Sequence, residues 1–419
     1  MAFHHHELDN GLNLVGESRR SARSVALGFM VRTGARDETA EEAGLSHFLE
    51  RMVFKGTERR SAMAVNLDFD RIGADYNAFT SDENTVFYST ILPEYLPQAI
   101  DILSDILRPS LRQDDFDGEK NVILEEIAMY EDRPATIAYD YAKEVFFKNH
   151  NLGNSILGTE ASVSALTREQ MMDYFNRRYG AANITVSIAG AFDWDEVVEL
   201  VHGRCGKWNR GQNGRTGLDE ARGTGELKAL KREEVTEEHL ILMSPGPSLS
   251  SPLRFAADTL GVALGDDSGS RLYWSLIQPG HVGYAGAGYS QHEGTGVLYT
   301  TFACEPERVE TGLNITVEVL RDLEKNSITA QELEQAKNKI LSALVRRSER
   351  SLRRRGDVCM NCAYLGAYRS IDDELRDYEA VSLDSIRQVL EQYPPSQVTT
   401  FALGPMSEDE IQNPNTIAN

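Results

Sequence analysis

The chain has 419 residues, an apolar fraction of 41% and a formal net charge of −22. At ~150 residues per domain, this length allows two or three domains. The acidic charge argues against nucleic acid as a partner, because phosphates need a basic face, whereas basic peptides are compatible with it. The sequence has no run of about 18 apolar residues and no apolar leader, so we expect no membrane partner and a cytoplasmic location.

The four cysteines form neither a zinc ribbon nor a disulfide framework. Cys359 and Cys362 make a single CxxC motif, and a zinc ribbon needs a second such pair. Such sparse cysteine usage fits a reducing compartment. The histidines at positions 4–6 could be natural or added, so the fold prediction leaves them out.

The first predicted helix spans residues 39–55. Its start is marked by a capping box, Thr-x-x-Glu, at residues 39–42. Within this helix His47, Glu50 and Arg51 share one face, because residues three and four positions apart are neighbours on a helix surface. The sequence therefore predicts a polar cluster on one side of an otherwise apolar helix.

An H-x-x-E-H helix binds zinc through two imidazoles one turn apart, and its glutamate activates the zinc-bound water. Here His47 and Glu50 occupy the first two positions of that motif, and Arg51 occupies the position of the second histidine. A guanidinium has no available lone pair, so it cannot ligate a metal. At ~4 Å and an effective dielectric constant of about 20, it would also repel a cation by roughly 4 kcal/mol per unit charge. We therefore expect Arg51 to reach toward Glu126 or Glu50 as a charge-assisted fork.

Two further segments could complete a site. Asn77 and Ala78 precede a strand that ends at Tyr88. If that strand is an edge, it could accept a peptide as an added strand; a covered edge is the alternative. A second predicted helix, 117–131, carries Glu119 and Glu126 close to two turns apart, so both carboxylates point the same way.

One α/β pattern occurs twice in the chain. A strand at 86–90 is followed by a Pro-Glu pair and an amphipathic helix, and the same order recurs from 297–301. The segment 209–225 is rich in Gly, Arg and Asn and is predicted to be a linker between homologous domains at 1–208 and 226–419. We predict an α+β fold in which each domain is a largely antiparallel sheet with helices packed on one side.

Taken together, these segments resemble the pitrilysin, insulinase and mitochondrial-processing-peptidase family of inverted zinc peptidases. The resemblance spans nearly the whole chain. Residues 44–57 look like the zinc box of the family, residues 76–85 like its substrate strand, and residues 119–126 like its distal carboxylate helix. The chain is thus similar to a small two-domain bacterial-type member with a degenerate zinc box.

The resemblance implies roles for the residues of the first domain. His47 and Glu126 would be zinc ligands, with Glu119 supporting them from behind. Glu50 would be the catalytic base. Because Arg51 stands where a third ligand belongs, the resemblance implies zinc as the cofactor of the family but leaves its binding here uncertain.

The resemblance also implies contacts with a substrate. Asn77 and Ala78 would bind the peptide. Arg271 and Tyr284 in the second domain would steady a tetrahedral intermediate. Without the resemblance, Arg271 would be read as a surface ion pair and Tyr284 as core packing. Ile277 stands where many members of the family carry another arginine.

Two functions follow as expectations. The first is a zinc metalloendopeptidase that encloses and cleaves peptides, with activity weak or lost because of Arg51. The alternative is a noncatalytic peptide-binding partner of an active zinc-bearing paralogue; a purely structural role in an assembly would need none of these groups. The family encloses its substrate with four α/β repeats and this chain supplies two, so the resemblance implies a homodimer or a heterodimer with such a paralogue.

Overall fold

The computed structural model describes residues 1–215 and 218–417. The strands are β1 (Ala2–Glu7), β2 (Asn13–Ser18), β3 (Val25–Val31), β4 (Asp75–Thr80), β5 (Thr85–Ile91), β6 (Ile184–Gly190), β7 (Leu227–Lys231), β8 (Glu238–Gly246), β9 (Tyr284–Gln291), β10 (Gly296–Cys304) and β11 (Thr399–Gly404). The helices are α1 (Leu45–Val53), α2 (Ala62–Arg71), α3 (Leu96–Ile106), α4 (Gln113–Glu131), α5 (Pro134–Phe147), α6 (Glu160–Ala165), α7 (Arg168–Arg178), α8 (Trp194–Cys205), α9 (Arg254–Gly265), α10 (Val309–Asn326), α11 (Ala330–Ser348), α12 (Ser351–Leu365), α13 (Ile371–Ala380) and α14 (Leu383–Gln392).

The described residues divide into two compact units. Unit one takes them from Met1–Ala128, Asn154–Thr216 and Val345–Ser370. Unit two takes them from Met129–Gly153, Gly217–Leu344 and Ile371–Asn419. The units therefore differ from the predicted domains 1–208 and 226–419, since each unit includes a segment from the other half of the sequence. The predicted domains rest on a repeated pattern rather than on contacts, so their boundaries stay a prediction.

The sheet of unit one has six strands in the order β1-β2-β6-β3-β5-β4. Neighbouring strands are antiparallel except β2 and β6, which are parallel. Because side chains alternate along a strand, Leu27 and Phe29 of β3 point to one face. There they join the main core with Phe48 of α1 and Ile100 of α3. This face carries most of the helices of the unit.

The other face of this sheet is covered by α12. Arg354 of α12 donates to both carboxylate oxygens of Glu17, at 2.7 to 2.9 Å, and both side chains are buried. Arg355 donates to the hydroxyl of Ser187 at 3.0 Å. Its guanidinium lies so close to Gly28 that an added Cβ would collide with it. A helix from the second half of the sequence thus completes the first sheet.

The sheet of unit two has five strands in the order β7-β11-β8-β10-β9, and only its β7–β11 pair is parallel. Leu240 and Phe302 face α9 and α10 in the main core. Ile241 and Phe401 point the other way and pack against Phe146 of α5. The predicted α+β class with largely antiparallel sheets is confirmed. The pattern gave no indication that each sheet also carries a helix on its second face.

Two local features differ from the sequence prediction. The predicted helix 39–55 is shorter, because Gly44 has a φ of +92° and the α-helix begins only after it. The capping box at residues 39–42 starts a separate 3-10 turn. The histidines that the prediction left out form β1, in which the His4 ring stacks on Trp194. No helix of the described residues is long and apolar enough to cross a membrane.

Candidate functional site

The apolar side of α1 determines where its polar residues point. Leu45, Phe48, Leu49 and Met52 are all buried. The ring of Phe48 stacks on Phe116 of α4, with 4.6 Å between the centroids. The two helices therefore lie side by side, and the polar face of α1 meets the carboxylates of α4.

A buried carboxylate holds the first turn of α1. Glu38 accepts hydrogen bonds from the backbone N–H groups of Gly44, at 2.8 Å, and Ser46, at 2.6 Å. The hydroxyl of Ser46 is in turn bonded to that of Tyr174 at 2.6 Å. Since the first N–H groups of a helix have no partner within it, Glu38 satisfies donors that would otherwise be buried unpaired.

This carboxylate is expected to make stability depend on pH. Burial raises the pKa of Glu38 to about 8, although the Ser46 and Gly44 donors oppose that shift. Because the folded pKa lies above the ordinary value of 4.5, the contribution of Glu38 to stability is full at low pH. It is lost as the pH rises from about 4.5 to 8, where only the unfolded chain has released its proton.

Glu38→Gln should be about 1–3 kcal/mol less stable than the native protein at pH 5, because an amide has one acceptor oxygen and leaves one of the two N–H donors unpaired. This deficit should shrink by about 2–4 kcal/mol as the pH rises to 8.5, because only the native protein loses stability with rising pH. Urea unfolding across this range would measure the difference. Glu41→Gln is the matched control, because Glu41 is exposed. A Glu38→Gln protein whose stability runs parallel to the native curve would contradict the assignment.

Arg51 lies between the two carboxylates of α4. Its Nε donates to Glu119, and its Nη1 donates to Glu126 at 3.2 Å. Lys55 forms a second ion pair with Glu119. The predicted fork of Arg51 to Glu126 is confirmed, and Glu119 is an additional partner that the prediction did not name.

The carboxyl groups of Glu119 and Glu50 differ in how readily they bind a proton. Burial of Glu119 opposes its ionisation, but the hydrogen bonds from Lys55 and Arg51 outweigh it and lower the pKa of this carboxyl. Burial raises the pKa of Glu50, and the donation from Thr80 opposes the shift. Glu119 is thus a fixed anion that holds two cations, whereas Glu50 binds its proton more readily.

His47 is a neutral imidazole in this setting. Burial, and then the charge of Arg51, lower the pKa of His47 to about 4. Its Nδ1 is buried and has no hydrogen-bond partner in the part of the chain that the structure describes. Neutral imidazole is the form that ligates metals, so His47 itself could serve as a ligand.

The site as a whole does not fit zinc. A zinc site needs at least three protein ligands, and no group of three His, Cys, Asp or Glu side chains within residues 1–215 and 218–417 could hold a metal ion. The guanidinium of Arg51 takes part in hydrogen bonds with Glu126, the expected carboxylate ligand, and with Glu119 behind it. Arg51 therefore blocks the position that the metal would need.

The two residues that the sequence predicts to bind a peptide lie together on one strand. Asn77 and Ala78 belong to β4, which among the described strands pairs with β5 alone and forms one edge of the sheet. The strand that contains Tyr88 is internal, so the predicted edge belongs to β4 instead. On β4, Phe79 is 45% exposed. The hydroxyl of Thr80 donates to Glu50 at 2.8 Å, which ties the end of this edge strand to α1.

The candidate residues of unit two have different surroundings. Arg271 makes two hydrogen bonds to Glu332, at 2.7 and 3.0 Å, and others to Asp322 and to the carbonyl of Ser327. Arg271 therefore forms ion pairs within unit two, and its role toward a substrate stays a prediction. Tyr284 begins the edge strand β9 and is 57% exposed. Its side chain is accessible to a ligand, and its proposed catalytic role stays a prediction.

Sequence reasoning missed two contributors to the site. Lys55 lies four residues after Arg51 and pairs with the same carboxylate, so its spacing was a usable signal. Thr80 shares one face of β4 with Ala78, two residues before it. Nothing in the sequence indicated that this face would meet Glu50.

The fold and this site together define a two-unit α+β protein in which a guanidinium lies between two carboxylates of α4. A family model described as "Insulinase (Peptidase family M16)" matches residues 14–160, and one described as "Peptidase M16 inactive domain" matches residues 165–340. The chain belongs to peptidase family M16.

Two relatives show how far the likeness extends. "Uncharacterized zinc protease YmxG" of Bacillus subtilis is 31% identical over 385 residues, which cover 91% of this chain and 93% of the relative. "Uncharacterized zinc protease Rv2782c" of Mycobacterium tuberculosis is 32% identical over 405 residues, which cover 95% and 92%. Both are similar to this chain over nearly their whole length.

Solved structures share the fold. A protease from Helicobacter pylori superimposes with a TM-score of 0.89 at 19% identity, covering 96% of this chain and 99% of that one. A structure titled "peptidase M16 inactive domain" from Pseudomonas fluorescens gives a TM-score of 0.89 at 16% identity, covering 97% and 98%. At these identities the likeness concerns the fold alone.

Proposed function

We propose that the chain is a peptide-binding member of family M16 whose own hydrolytic activity is weak or lost, and that it serves as the noncatalytic partner of a zinc-bearing paralogue. One observation carries the proposal. Arg51 stands in place of a zinc-ligand histidine and donates to Glu119 and Glu126. The carboxylates are neutralised by side chains of the chain itself.

Zinc binding would have to compete with these ion pairs. A zinc ion would find only His47 and Glu126 as protein ligands, fewer than the usual three. It would also have to displace Arg51 and so break two hydrogen bonds between charged groups, which contribute about 1.5–3 kcal/mol each. Glu119 is 2% exposed, so it would depend on Lys55 alone. Both effects weaken metal binding, and with it hydrolysis.

Peptide binding does not depend on the metal. The edge strand β4 offers backbone N–H and C=O groups to an extended peptide, which is the recurring mode of strand addition. Phe79 is an exposed apolar contact on the same strand. The net charge of −22 favours neutral or basic peptides over acidic ones.

The partnership follows from the resemblance. The family encloses a peptide with four α/β repeats, and this chain supplies two, so a second chain is required. A zinc-bearing paralogue would provide the metal, and this chain would provide the binding surface and Tyr284. A homodimer would enclose peptides in the same way without an intact metal site.

Metal analysis combined with a cleavage assay tests the proposal. The protein, exposed to zinc and then dialysed, should retain clearly less than about one ion per chain and should not cleave an unfolded polypeptide by itself. Cleavage by a zinc-bearing paralogue should rise when this chain is added, and should rise less with Tyr284→Phe.

Retained hydrolysis is the second candidate function, favoured by the intact His47 and Glu50. Stoichiometric zinc, with cleavage abolished by Glu50→Gln, would establish it instead.

A further inference from the structure

We infer that Arg51 binds a main-chain carbonyl of the peptide through the N–H groups that its ion pairs leave over. This inference rests on the proposed function, because it names the group that recognises the peptide. Arg51 is then a residue that binds the peptide, and not only the residue that replaces a metal ligand.

Arg51 has donors to spare. A guanidinium carries five N–H donors, and Glu119 and Glu126 occupy one on Nε and one on Nη1. No acceptor within the described residues is bonded to Nη2. The Arg51 side chain is 32% exposed, whereas that of Glu119 is 2% exposed. The guanidinium is therefore held by the protein through Nε and Nη1, and the side chain keeps surface that a ligand can reach.

Arg51 is the next residue on α1 after the one that contacts the edge strand. Glu50, the residue before it on α1, accepts a hydrogen bond from Thr80, the last residue of β4. Along β4, the N–H of Ala78 is bonded to the side chain of Asn77 at 2.8 Å, so a peptide would exchange that local bond for one of its own. A strand added beside β4 would therefore pass the end of the strand where α1 contacts it through Glu50, with Arg51 as the next residue of the helix.

The charges in the site select the kind of acceptor. Three carboxylates, Glu50, Glu119 and Glu126, surround two cations, Arg51 and Lys55. With all five ionised, the group carries a net charge of about −1, which disfavours a second anion. A neutral amide carbonyl accepts a hydrogen bond from a guanidinium without that repulsion. The ligand atom is thus an internal carbonyl rather than a terminal carboxylate or an acidic side chain.

The experiment compares the affinity of a fluorescein-labelled neutral extended peptide for matched variants by anisotropy. Arg51→Met should weaken binding by about 10- to 100-fold, since a hydrogen bond to a charged group is lost. Lys55→Met removes the same charge beside the same Glu119 and should stay within about threefold. Glu126→Gln leaves Arg51 in place, because an amide oxygen can still accept from Nη1, so affinity should be kept within about threefold.

A change in the peptide locates the contact independently of folding. Reducing one amide carbonyl at a time to a methylene should weaken native binding strongly at one position. The same change should have little effect on the Arg51→Met protein, because in a double-mutant cycle the pair contributes only once. Acidic side chains near that position should weaken binding to the native protein.

The outcomes separate this inference from the proposed function. Absence of peptide binding by the native protein would overturn both. Native binding that Arg51→Met leaves unchanged, in a protein with the native thermal transition, would overturn the inference and leave the proposed function standing. Equal losses for Arg51→Met and Lys55→Met would assign the effect to the ion-pair network and would likewise overturn it.

Discussion

Replacing Arg51 by histidine is expected to create a zinc site that holds about one ion per chain. The introduced imidazole would lie one helical turn after His47, and Glu126 would lose its guanidinium partner. Lys55 would still neutralise Glu119. Two imidazoles and one carboxylate are a ligand set that zinc enzymes use with one open position. A single substitution is enough because the structure already brings the faces of α1 and α4 together.

The gain in metal should appear in stability as well as in content. A ligand that binds only the folded state stabilises it by about 4 kcal/mol when its free concentration is a thousand times its Kd. Arg51→His should therefore unfold at a higher temperature with zinc than with a chelator. The native protein should show no such difference, which is a readout independent of peptide cleavage.

Two controls distinguish ligation from the loss of a charge. Arg51→Gln removes the cation without supplying an imidazole, and it should bind no zinc. Arg51→His combined with Glu126→Gln lacks the carboxylate ligand and should lose the zinc again. If Arg51→His folds like the native protein yet remains metal-free, His47 and Glu126 do not converge on a common ligand position.

The sequence was sufficient to predict the parts of the site that depend on helical periodicity. His47, Glu50 and Arg51 share a face because of their spacing, and Glu119 and Glu126 share another. The apolar residues between them decide that both faces turn toward each other. A guanidinium on this face of α1 pairs with the carboxylates that face it from α4, so the hydrogen bond to Glu126 could be predicted.

Features that depend on distant segments could not be read from the sequence. The role of Glu38 requires knowing that its carboxylate meets the start of α1. The contacts of Arg271 with Glu332 join two segments that are 61 residues apart, so no local pattern predicts them. The sequence analysis considered the strand that contains Tyr88 as the edge, because it took Asn77 and Ala78 as residues that precede this strand. In the structure they form the edge strand β4 themselves. Each of these features depends on a tertiary contact, for which the sequence has no local periodic signal.

The composition of unit one leads to the second large expected effect. The fragment 1–208, which corresponds to the predicted first domain, should fail to fold by itself. It lacks α12, so the ion pair of Glu17 with Arg354, which is buried in the full chain, cannot form. The loss of a whole packed helix is large against a typical total stability of about 5–15 kcal/mol.

Apolar burial adds to this loss. Met30 and Val86 are buried together with Cys359 of α12, and removing the helix exposes that face of the sheet to water. The fragment contains α5 but lacks the strands of unit two that bury Phe146 of this helix. Circular dichroism and thermal unfolding of 1–208 should therefore show no cooperative transition.

A full chain cleaved once within 209–225 is the matched control and should unfold cooperatively, because both pieces are present. Arg354→Met in the intact chain should remove about 3–5 kcal/mol. If 1–208 alone melts cooperatively with native near-ultraviolet dichroism, α12 is not required for the first sheet to fold.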